Sequence, residues 1–439
     1  MSEVMTVAPS SLLHELQQAE TSCIKCGFCL PTCPTYRLTG SEAASPRGRI
    51  DLMQAVAYGE LEAEEIYDQL DLCLGCRACE TACPAGVEFG KLLETGRAVA
   101  RVGAKPSRLE AWLRYVGLHV LLTSPGGLWV VAGLLRFYQV SGLQTLLRNR
   151  GWLERLSPAM AAAEAAMPVI PATMVRQRVP SETAPEGEVR DTVAMLTGCV
   201  MPELLPQVNH ATVHVLAANG YGVMAPPAQR CCGALQAHAG ELEKARQLAK
   251  HNIEVFESTG ASRVVVNSAG CGAMTKDYGH LLSGDAEFAN RAQAFSQRVC
   301  DISELLAAAP LRGKLRPLPM RVAYDDPCHL LHGQRVHEQP RTLLRQVPEL
   351  ELLEVPEGDW CCGSAGIYNL VHAEMAQALL DRKMEHMASI QPQLIVTGNP
   401  GCLLQLRQGV KRHQLDVEVM HPIEVLAQAY TPATPASSA

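Results

Sequence analysis

The chain has 439 residues, of which 47% are hydrophobic and 19% charged, as in a globular protein of about two to four domains. Its net charge of −7 comes from interspersed acidic and basic residues without a basic stripe, which argues against a nucleic-acid partner. The 17 cysteines do not indicate a secreted disulfide protein, because neighbours such as Cys231 and Cys232 are too close to form an unstrained disulfide. Since the N-terminus shows no signal-sequence pattern and free thiolates suit a reducing compartment, we expect a cytoplasmic protein.

The most informative motif is a run of four cysteines that occurs twice near the N-terminus. The spacing in both copies is C-x2-C-x2-C-x3-C-P, and each cysteine of the second copy follows its counterpart by 50 residues. This spacing is typical of proteins with two [4Fe–4S] clusters, in which the fourth cysteine of each run ligates the other cluster. The first predicted cluster has the ligands Cys23, Cys26, Cys29 and Cys83. The second has the ligands Cys73, Cys76, Cys79 and Cys33.

Structural zinc is the alternative for these cysteines, but zinc sites usually consist of two separated C-x2-C pairs. Around the two runs we predict a helical domain over residues 1–105, with a first helix within residues 1–22 and another that starts at Ser45-Pro46. The apolar face of the first helix is formed by Leu12, Leu13, Leu16 and Ala19. Arg47 and Arg49 either offset the negative charge of a cluster or belong to a solvated helix start.

Residues 106–190 are predicted to be an apolar helical segment followed by a linker rich in alanine and proline. No formally charged residue occurs from Tyr115 to Leu135, a length that could span a bilayer, but Pro125 and the glycines after it interrupt this stretch. We therefore predict two apolar helices joined by a turn and docked on a partner subunit or a membrane surface, with one transmembrane helix as the alternative. The linker covers residues 157–190, and the tail at 431–439 is predicted to be disordered.

A second repeat of cysteines lies between the linker and the tail, at offsets of 129 to 131 residues. Its first copy is Cys199, Cys231, Cys232 and Cys271, and its second is Cys328, Cys361, Cys362 and Cys402. Short β-branched runs precede the first and last cysteine of each copy, and helical stretches separate them. This alternation predicts two homologous α/β domains, at 191–318 and 319–430, with parallel sheets. The cysteines would lie at the carboxyl ends of strands, on loops that face each other across a pseudo-twofold axis.

The eight repeat cysteines either ligate further iron–sulfur clusters or form dithiol or partner-binding sites without metal. Consecutive thiolates favour ligation, and the glycine that follows them lets the backbone approach closely. His329 and His332 follow Cys328, and each either acts at a cluster, as a hydrogen-bond donor or proton relay, or simply caps a helix or packs. Cys300 has no counterpart in the repeat and is predicted to be a core residue.

The sequence contains neither a G-x-G-x-x-G run after a strand nor a Walker A run, so a flavin or nicotinamide site would lie on another chain. With these motifs the chain resembles the iron–sulfur subunit of bacterial glycolate oxidase (glycolate dehydrogenase) over nearly its whole length. The matching segments are 23–36, 45–50, 73–84, 229–234, 268–273 and 361–366.

This resemblance implies a multidomain α/β protein in which a helical, two-cluster ferredoxin-like domain precedes two Cys-Cys-Gly domains. It also implies a complex with FAD-containing subunits that oxidise glycolate to glyoxylate, in which this chain is not catalytic alone. The chain would pass electrons to quinone or another acceptor. We expect it in the cytoplasm, either free or peripheral on the cytoplasmic face of the inner membrane.

The Cys-Cys-Gly repeats are also similar to those of the heterodisulfide reductase-like family. That family has a fifth cysteine in a final C-x2-C, where this sequence has Ser268 in the first copy and Asn399 in the second. Three alternatives therefore stay open: the same role in a lactate or glycerol-3-phosphate complex, a self-contained thiol–disulfide oxidoreductase, and a scaffold whose clusters only hold shape.

Overall fold

A computed structural model of the chain describes residues 10–18, 22–103, 107–156, 161, 164, 167–173 and 176–430. Its N-terminal part is helical. The helices are α1 (Ser10–Gln18), α2 (Pro34–Thr39), α3 (Pro46–Ala57), α4 (Tyr67–Asp71), α5 (Ala78–Thr81) and α6 (Phe89–Gly103). The start of α3 is as predicted, because the Ser45 side chain accepts a hydrogen bond from the Gly48 N–H and Pro46 is the first helical residue. Leu16 of α1 is fully buried in the core of this domain, whereas Ala19 lies outside the described residues.

The apolar segment forms two helical arms joined by a turn, as predicted. The first arm is α7 (Arg108–Tyr115), continued by a π-helical turn at Val116–Leu121, and the second is α8 (Pro125–Val140). The arms bend by 115° at the break, where Ser124 caps α8 by accepting from the Gly127 N–H. Two short helices follow, α9 (Leu143–Asn149) and α10 (Trp152–Leu156). In the described part of the chain no single helix has the length and apolarity to cross a bilayer, and only this bent pair meets those two criteria together.

Two sheets follow the helical segment, and their parallel parts have the same strand order. The first contains β1 (Glu182–Thr183), β2 (Asp191–Leu196), β3 (Tyr221–Met224), β4 (Arg263–Val266) and β5 (Val299–Asp301). The second contains β6 (Met320–Asp325), β7 (Leu350–Glu354), β8 (Leu394–Thr397) and β9 (Glu418–Met420). Their orders are β1-β3-β2-β4-β5 and β7-β6-β8-β9, and every pairing is parallel except that of β1 with β3. The parallel part of each sheet is therefore one copy of the same unit, which confirms the predicted repeat.

Helices cover these sheets and connect their strands. In the first domain they are α11 (Met201–Leu204), α12 (Pro206–Ala218), α13 (Ala234–His238), α14 (Leu242–Glu257), α15 (Ala269–Lys276), α16 (Tyr278–Leu281), α17 (Ala289–Arg298) and α18 (Ile302–Ala307). In the second they are α19 (Glu338–Leu344), α20 (Tyr368–Val371), α21 (Ala373–Ser389), α22 (Pro400–Arg412) and α23 (Pro422–Tyr430), with a π-helical turn at His329–Gly333. Cys300 is buried in β5, as expected of a core residue, and burial raises its pKa to about 11.

The carboxyl ends of the two sheets face each other, as the sequence predicted. The backbone N–H of Ala269 donates to the Gly398 carbonyl at 3.2 Å, and that of Gly270 donates to Asn399 Oδ1 at 3.1 Å. Gln334 Nε2 donates to the Ala269 carbonyl at 3.0 Å. One hydrophobic core also contains buried residues of both central strands, β2 and β6. The two α/β domains therefore form one packed body, with their cysteine loops at the joint.

Candidate iron–sulfur centres

The two N-terminal cysteine runs have the same backbone conformation. Lys25 and Gly27 have positive φ angles of 54° and 84°, and the residues 50 positions later, Gly75 and Arg77, have φ angles of 64° and 64°. Left-handed residues at these places turn the chain between successive cysteines, so that each run wraps a short loop. The sequence repeat is therefore also a repeat of the loop that presents the thiols.

The second run lies in a buried site together with the last cysteine of the first run. Cys76 and Cys79 are close enough to Cys73 and Cys33 that the thiolates repel one another. Burial, followed by this repulsion, raises the pKa of Cys76 and of Cys79 well above the ordinary value. Burial and mutual repulsion destabilise these four sulfurs when they are deprotonated to thiolates. A cationic iron–sulfur core bound between them offsets this cost. These residues therefore fit a cluster, in the crossed ligand set that the spacing predicts.

The first run lies closer to the surface. Cys29 is near Cys23 and Cys33, and burial raises its pKa although the Arg47 backbone N–H donates to it. Cys26 is exposed, and the side chains beside it, Ile24 and Phe28, are 65% and 61% exposed. The first candidate cluster therefore lies at the surface of the protein, and the second lies in the interior.

The two arginines noted in the sequence differ in their surroundings. Arg49 is fully buried and donates to Thr35 Oγ1 through both terminal nitrogens at 3.1 Å, and Thr35 Oγ1 lies 3.3 Å from Cys33 Sγ. Arg47 is partly exposed and forms an ion pair with Glu42 at 2.6 Å. Arg49 is therefore not part of a solvated helix start but a buried cation near a predicted ligand.

The second run is held between the two α/β domains by side chains that the sequence did not single out. Arg77 donates to Asp277 of the first domain at 2.8 Å. From the second domain, His372 Nε2 lies 2.8 Å from an Asp71 carboxylate oxygen, and the Tyr368 hydroxyl donates to the Leu72 carbonyl at 3.0 Å.

His329 and His332 belong to the same joint. His329 Nε2 donates to the Gly75 carbonyl at 3.0 Å, and His332 Nδ1 lies 2.9 Å from Thr81 Oγ1. The His329 ring also packs against that of His238, and burial lowers the pKa of His329 to about 3. Both histidines therefore connect the second domain to the cysteine run, whichever chemical role they have.

Arg97 of α6 is a half-buried cation whose hydrogen bonds cross this joint. Its guanidinium donates to the carbonyl of Leu70 at 2.9 Å, to that of Cys73, and to that of His238 at 2.8 Å. Burial lowers its pKa, whereas the thiolate of Cys73 acts in the opposite direction. Arg97 thus places a positive charge beside the second run and joins this run to the first α/β domain.

The four cysteines of each Cys-Cys-Gly repeat come together at the carboxyl ends of the strands. In the first repeat, Cys199 and Cys231 are 3.5 Å apart at Sγ, and Cys232 is in hydrogen-bond contact with Cys271. The hydrogen bond from Cys199 lowers the pKa of Cys231 well below the ordinary thiol value. In the second repeat, the hydrogen bond from Cys361 lowers the pKa of Cys362 in the same way. Each repeat therefore stabilises at least one thiolate.

The glycine after each cysteine pair is required for two reasons. Gly233 and Gly363 have φ angles of +87° and +84°, a region that residues with a side chain rarely adopt. A Cβ at Gly363 would also lie 2.6 Å from the Ala376 carbonyl oxygen, and one at Gly233 would lie 3.3 Å from Ala245 Cα. The close approach of backbone segments that the sequence suggested is therefore present in both repeats.

The two repeats differ in one buried charge. Gly233 packs against Ala245 and Gly363 against Ala376, which aligns α14 with α21 at an offset of 131 residues. At this offset Lys383 matches Asn252.

Asn252 is neutral and donates to the Cys231 carbonyl at 3.0 Å. Lys383 is buried, forms an ion pair with Asp325, and donates to the Gly358 carbonyl at 3.0 Å. Burial alone would lower its pKa, but attraction to Asp325 and to the thiolates of Cys362 and Cys402 raises it. Only the second cysteine set therefore has a buried ammonium group beside it, among the residues described in the two repeats.

No three of the described histidine, cysteine, aspartate or glutamate side chains converge closely enough to hold a single metal ion. A [4Fe–4S] cluster spreads its four ligands over four iron atoms, so its thiolates lie further apart than the ligands of one ion. The described cysteine sets are therefore compatible with clusters without forming a site for one ion.

Comparison with known proteins places each part of the chain. Residues 20–87 match the 4Fe-4S dicluster domain, and residues 193–276 and 322–407 match the cysteine-rich domain. Residues 109–167 match the linker region of the glycolate oxidase iron–sulfur subunit. These matches confirm the predicted fold class and show that the chain is an iron–sulfur protein.

Relatives of full length make the assignment more specific. The chain is 40% identical to a protein of Bacillus subtilis named as a probable glycolate oxidase iron–sulfur subunit and 34% identical to the glycolate oxidase iron–sulfur subunit of Escherichia coli, over 93% of each chain. The lactate utilization protein A of a Geobacillus strain is 28% identical over 53% of this chain and 98% of its own length. The chain belongs to the family of glycolate oxidase iron–sulfur subunits and has an electron-transfer role in an oxidoreductase complex.

The crossed ligand set leads to a specific prediction. Replacing Cys33 by serine is expected to impair the interior cluster of Cys73, Cys76 and Cys79 and to leave the surface cluster intact. The reciprocal variant, Cys83→Ser, should impair the surface cluster. Low-temperature EPR of each reduced protein, with iron analysis, distinguishes the two signals. If Cys33→Ser instead changes the same signal as Cys23→Ser, each run ligates its own cluster and the assignment is wrong.

Proposed function

We propose that this chain accepts electrons from FAD-containing subunits that oxidise glycolate to glyoxylate, and passes them to a quinone. The observation that carries this proposal is the position of the second cysteine run, which contacts both α/β domains while the first run reaches the surface. Leu74 and Cys76 of this run pack with Cys328 and Cys361 of the second repeat. The two N-terminal cysteine runs and the second repeat therefore form a series from the surface to the domain joint.

The ligands in this proposal are those that the sequence indicated. The surface cluster is held by Cys23, Cys26, Cys29 and Cys83, and the interior cluster by Cys73, Cys76, Cys79 and Cys33. Each Cys-Cys-Gly set holds a further cluster: Cys199, Cys231, Cys232 and Cys271 in the first repeat, and Cys328, Cys361, Cys362 and Cys402 in the second. A flavin takes up two electrons as a hydride, whereas an iron–sulfur cluster accepts and releases them one at a time.

Two features of the protein support this electron transfer: apolar side chains beside the surface run and positive charges near the interior run. The exposed Ile24 and Phe28 give the surface run an apolar rim where an electron donor can dock. Arg49 is a buried cation and Arg97 a half-buried one near the interior run, and a positive charge near a cluster favours its reduced, more negative state. The chain contributes no group that breaks a substrate bond in this proposal, so it is not catalytic alone.

We assign the helix pair to the cytoplasmic face of the inner membrane. Its arms expose large apolar side chains, with Trp112, Trp129, Leu134 and Phe137 each between 47% and 65% exposed. Tryptophan and arginine at the edges of an apolar face suit the interface between lipid tails and headgroups, and Arg150 lies over the ring of Trp152 between α9 and α10, which follow the pair. Flotation of the purified protein with liposomes measures this contact. A Leu134→Glu, Phe137→Glu variant should no longer float.

The central test uses the reconstituted complex. With the flavin subunits present, glycolate should bleach the visible cluster absorbance of this chain, and without them it should have no effect. Iron analysis of the anaerobically purified chain should give about twelve to sixteen irons per chain. A count of about eight would mean that only the two N-terminal runs hold clusters. Bleaching by glycolate in the isolated chain would contradict the proposed division of labour.

Lactate is the second candidate substrate of the complex, because a lactate utilization protein is similar to about half of the chain. Growth of a deletion strain separates the two. Loss of growth on glycolate with retained growth on lactate supports the proposal, and the reverse pattern assigns the chain to a lactate complex.

A further inference from the structure

A cavity of about 120 Å³ lies between the helix pair and the first α/β domain. Leu122, Pro125 and Leu128 line it from the side of the helix pair. Cys199 and Cys231, the two cysteines whose sulfurs are 3.5 Å apart, line it from the side of the domain. A compartment that opens at the surface therefore reaches a predicted redox centre directly.

The size of this cavity limits what enters it. Cavities of roughly 150 Å³ in proteins hold a single benzene ring. This cavity is somewhat smaller and partly open, so it encloses most of one small ring, and the rest of a ligand has to extend through its opening.

The surface outside the cavity is apolar along α8. Trp129 and Val130 follow the cavity-lining Leu128 directly, and Leu134 and Phe137 continue the exposed apolar surface one and two turns further on. Their exposed fractions are 47%, 52%, 64% and 65% in chain order. A hydrocarbon chain attached to a ring in the cavity would contact this surface, which is also the one we assign to the membrane.

The helix pair is anchored beside the thiols. Gln236 donates to the Leu118 carbonyl at 2.8 Å and accepts from Cys231 Sγ at 3.7 Å, so one side chain joins the π-helical turn to a predicted ligand. Glu241 of the same domain lies 3.3 Å from His119 and pairs with Arg101 at 2.5 Å. The cavity wall formed by the helix pair is therefore fixed relative to the cysteines.

Polar groups at the cavity complement an acceptor of electrons. Arg178 and Arg230 line the cavity with exposed side chains. On the inner side, Glu203 is buried in an ion pair with Arg176 at 2.9 Å. Because Arg176 neutralises this carboxylate, Glu203 repels negative charge on a ligand less than an unpaired carboxylate would. A guanidinium group stabilises the negative charge that develops on a carbonyl oxygen during its reduction.

We propose that this cavity binds the ring of a lipophilic quinone, and that the first Cys-Cys-Gly centre passes electrons to it. A ring with carbonyl oxygens fits the volume and the arginines, and a hydrocarbon tail fits the apolar surface of α8. One quinone takes up two electrons, delivered singly through the clusters, and two protons from water, and leaves as the quinol. This inference rests on the proposed function, in which the electrons come from glycolate through the flavin subunits.

Photoaffinity labelling tests the site without requiring turnover. The full-length protein, purified anaerobically with its clusters, is irradiated with an azido-quinone that carries a short alkyl tail, and the labelled peptides are mapped by mass spectrometry. Label is expected in segments 122–128, 177–181, 197–206 or 225–231, and an excess of unlabelled quinone should abolish it. Labelling that is confined to other segments, or that is not competed, overturns the proposal.

Matched leucine-to-tryptophan substitutions test the same site by a second route. Leu128→Trp fills the cavity and should weaken quinone labelling at least about tenfold, because an indole leaves no room for a second ring. Leu146→Trp places the same side chain on an exposed position of α9, away from the residues that line the cavity and from the α8 surface, and should leave labelling unchanged. Circular dichroism and iron content confirm that both variants are folded and loaded. Equal labelling of the two variants would overturn the proposal.

Reoxidation kinetics separate this inference from the proposed function. The dithionite-reduced wild-type protein should be reoxidised by a short-chain quinone, and Leu128→Trp should be slower by the same factor as its loss of labelling. If quinone reoxidises both at the same rate, the acceptor site lies elsewhere, while the electron-transfer role stands. If a low-molecular-weight disulfide reoxidises the clusters and quinone does not, the site is a disulfide site and the inference fails. If glycolate with the flavin subunits never reduces the clusters, the proposed function itself fails.

Discussion

Replacing Lys383 by asparagine is expected to destabilise the second Cys-Cys-Gly domain by about 3–5 kcal/mol, the usual effect of removing one partner of a buried ion pair. The ammonium group is 1% exposed and pairs with Asp325, which itself is 1% exposed and accepts from Thr397 at 2.9 Å. Without Lys383 this carboxylate is buried without a compensating charge. Urea unfolding of the loaded protein, followed by tryptophan fluorescence and iron release, measures the effect.

Two further variants test the reason for this destabilisation. Lys250→Asn removes an exposed ammonium that pairs with Asp285 at the surface, and should change the unfolding midpoint little. Asp325 lies three residues before Cys328, and the residue three positions before Cys199 in the first domain is Leu196, so the two match at an offset of 129 residues. The double variant Asp325→Leu, Lys383→Asn reproduces the residue types of the first domain and should regain most of the lost stability. If Lys383→Asn unfolds at the wild-type midpoint, the ion pair does not stabilise this domain.

Replacing Arg97 by methionine is expected to lower the reduction potential of the interior cluster by about 60–100 mV. This range corresponds to one unit charge at roughly 7–12 Å and an effective dielectric constant of about 20. The guanidinium donates to the carbonyl of Cys73, which belongs to a predicted ligand, so its charge acts on this cluster directly. A redox titration followed by EPR measures the shift.

Controls separate the charge of Arg97 from its hydrogen bonds. Arg97→Lys keeps the positive charge but not the planar set of donors, and should recover most of the potential while the domain joint loosens. Arg101→Met, on the same helix, removes a cation that pairs with Glu241 and should leave the interior cluster unchanged. An unchanged potential in Arg97→Met would show that burial and backbone dipoles, rather than this charge, set the potential.

The cysteine spacing predicted the repeats well for a physical reason. A ligand has to lie at a fixed place in its loop, so spacing carries over directly into structure, as the matching φ angles at Lys25 and Gly75 show. Strands β2, β4, β6 and β8 were predictable because their buried β-branched residues lie directly before a cysteine loop. The comparisons confirm the domain types, and the individual ligand assignments stay predictions.

The contacts between domains were not predictable from the sequence. Arg97 looks like an ordinary helix residue, and its acceptor at His238 lies 141 residues away in the chain. Lys383 gave no signal by itself, because it matches the neutral Asn252 only when Ala376, which packs against Gly363, is aligned with Ala245, which packs against Gly233. Sequence periodicity indicates which face of an element is buried but not which distant carbonyl or carboxylate it meets.

The enclosure of the interior cysteine run restricts access to its sulfurs in the folded chain. Cys73 and Cys79 are each only 8% exposed in the folded chain, and both α/β domains bond to the loop that carries them. A carrier protein that delivers preformed clusters cannot reach these sulfurs once the joint has closed. We therefore expect iron and sulfide to be inserted before the two repeats dock on the N-terminal domain, and we expect this docking to slow the loss of metal and the attack by oxygen.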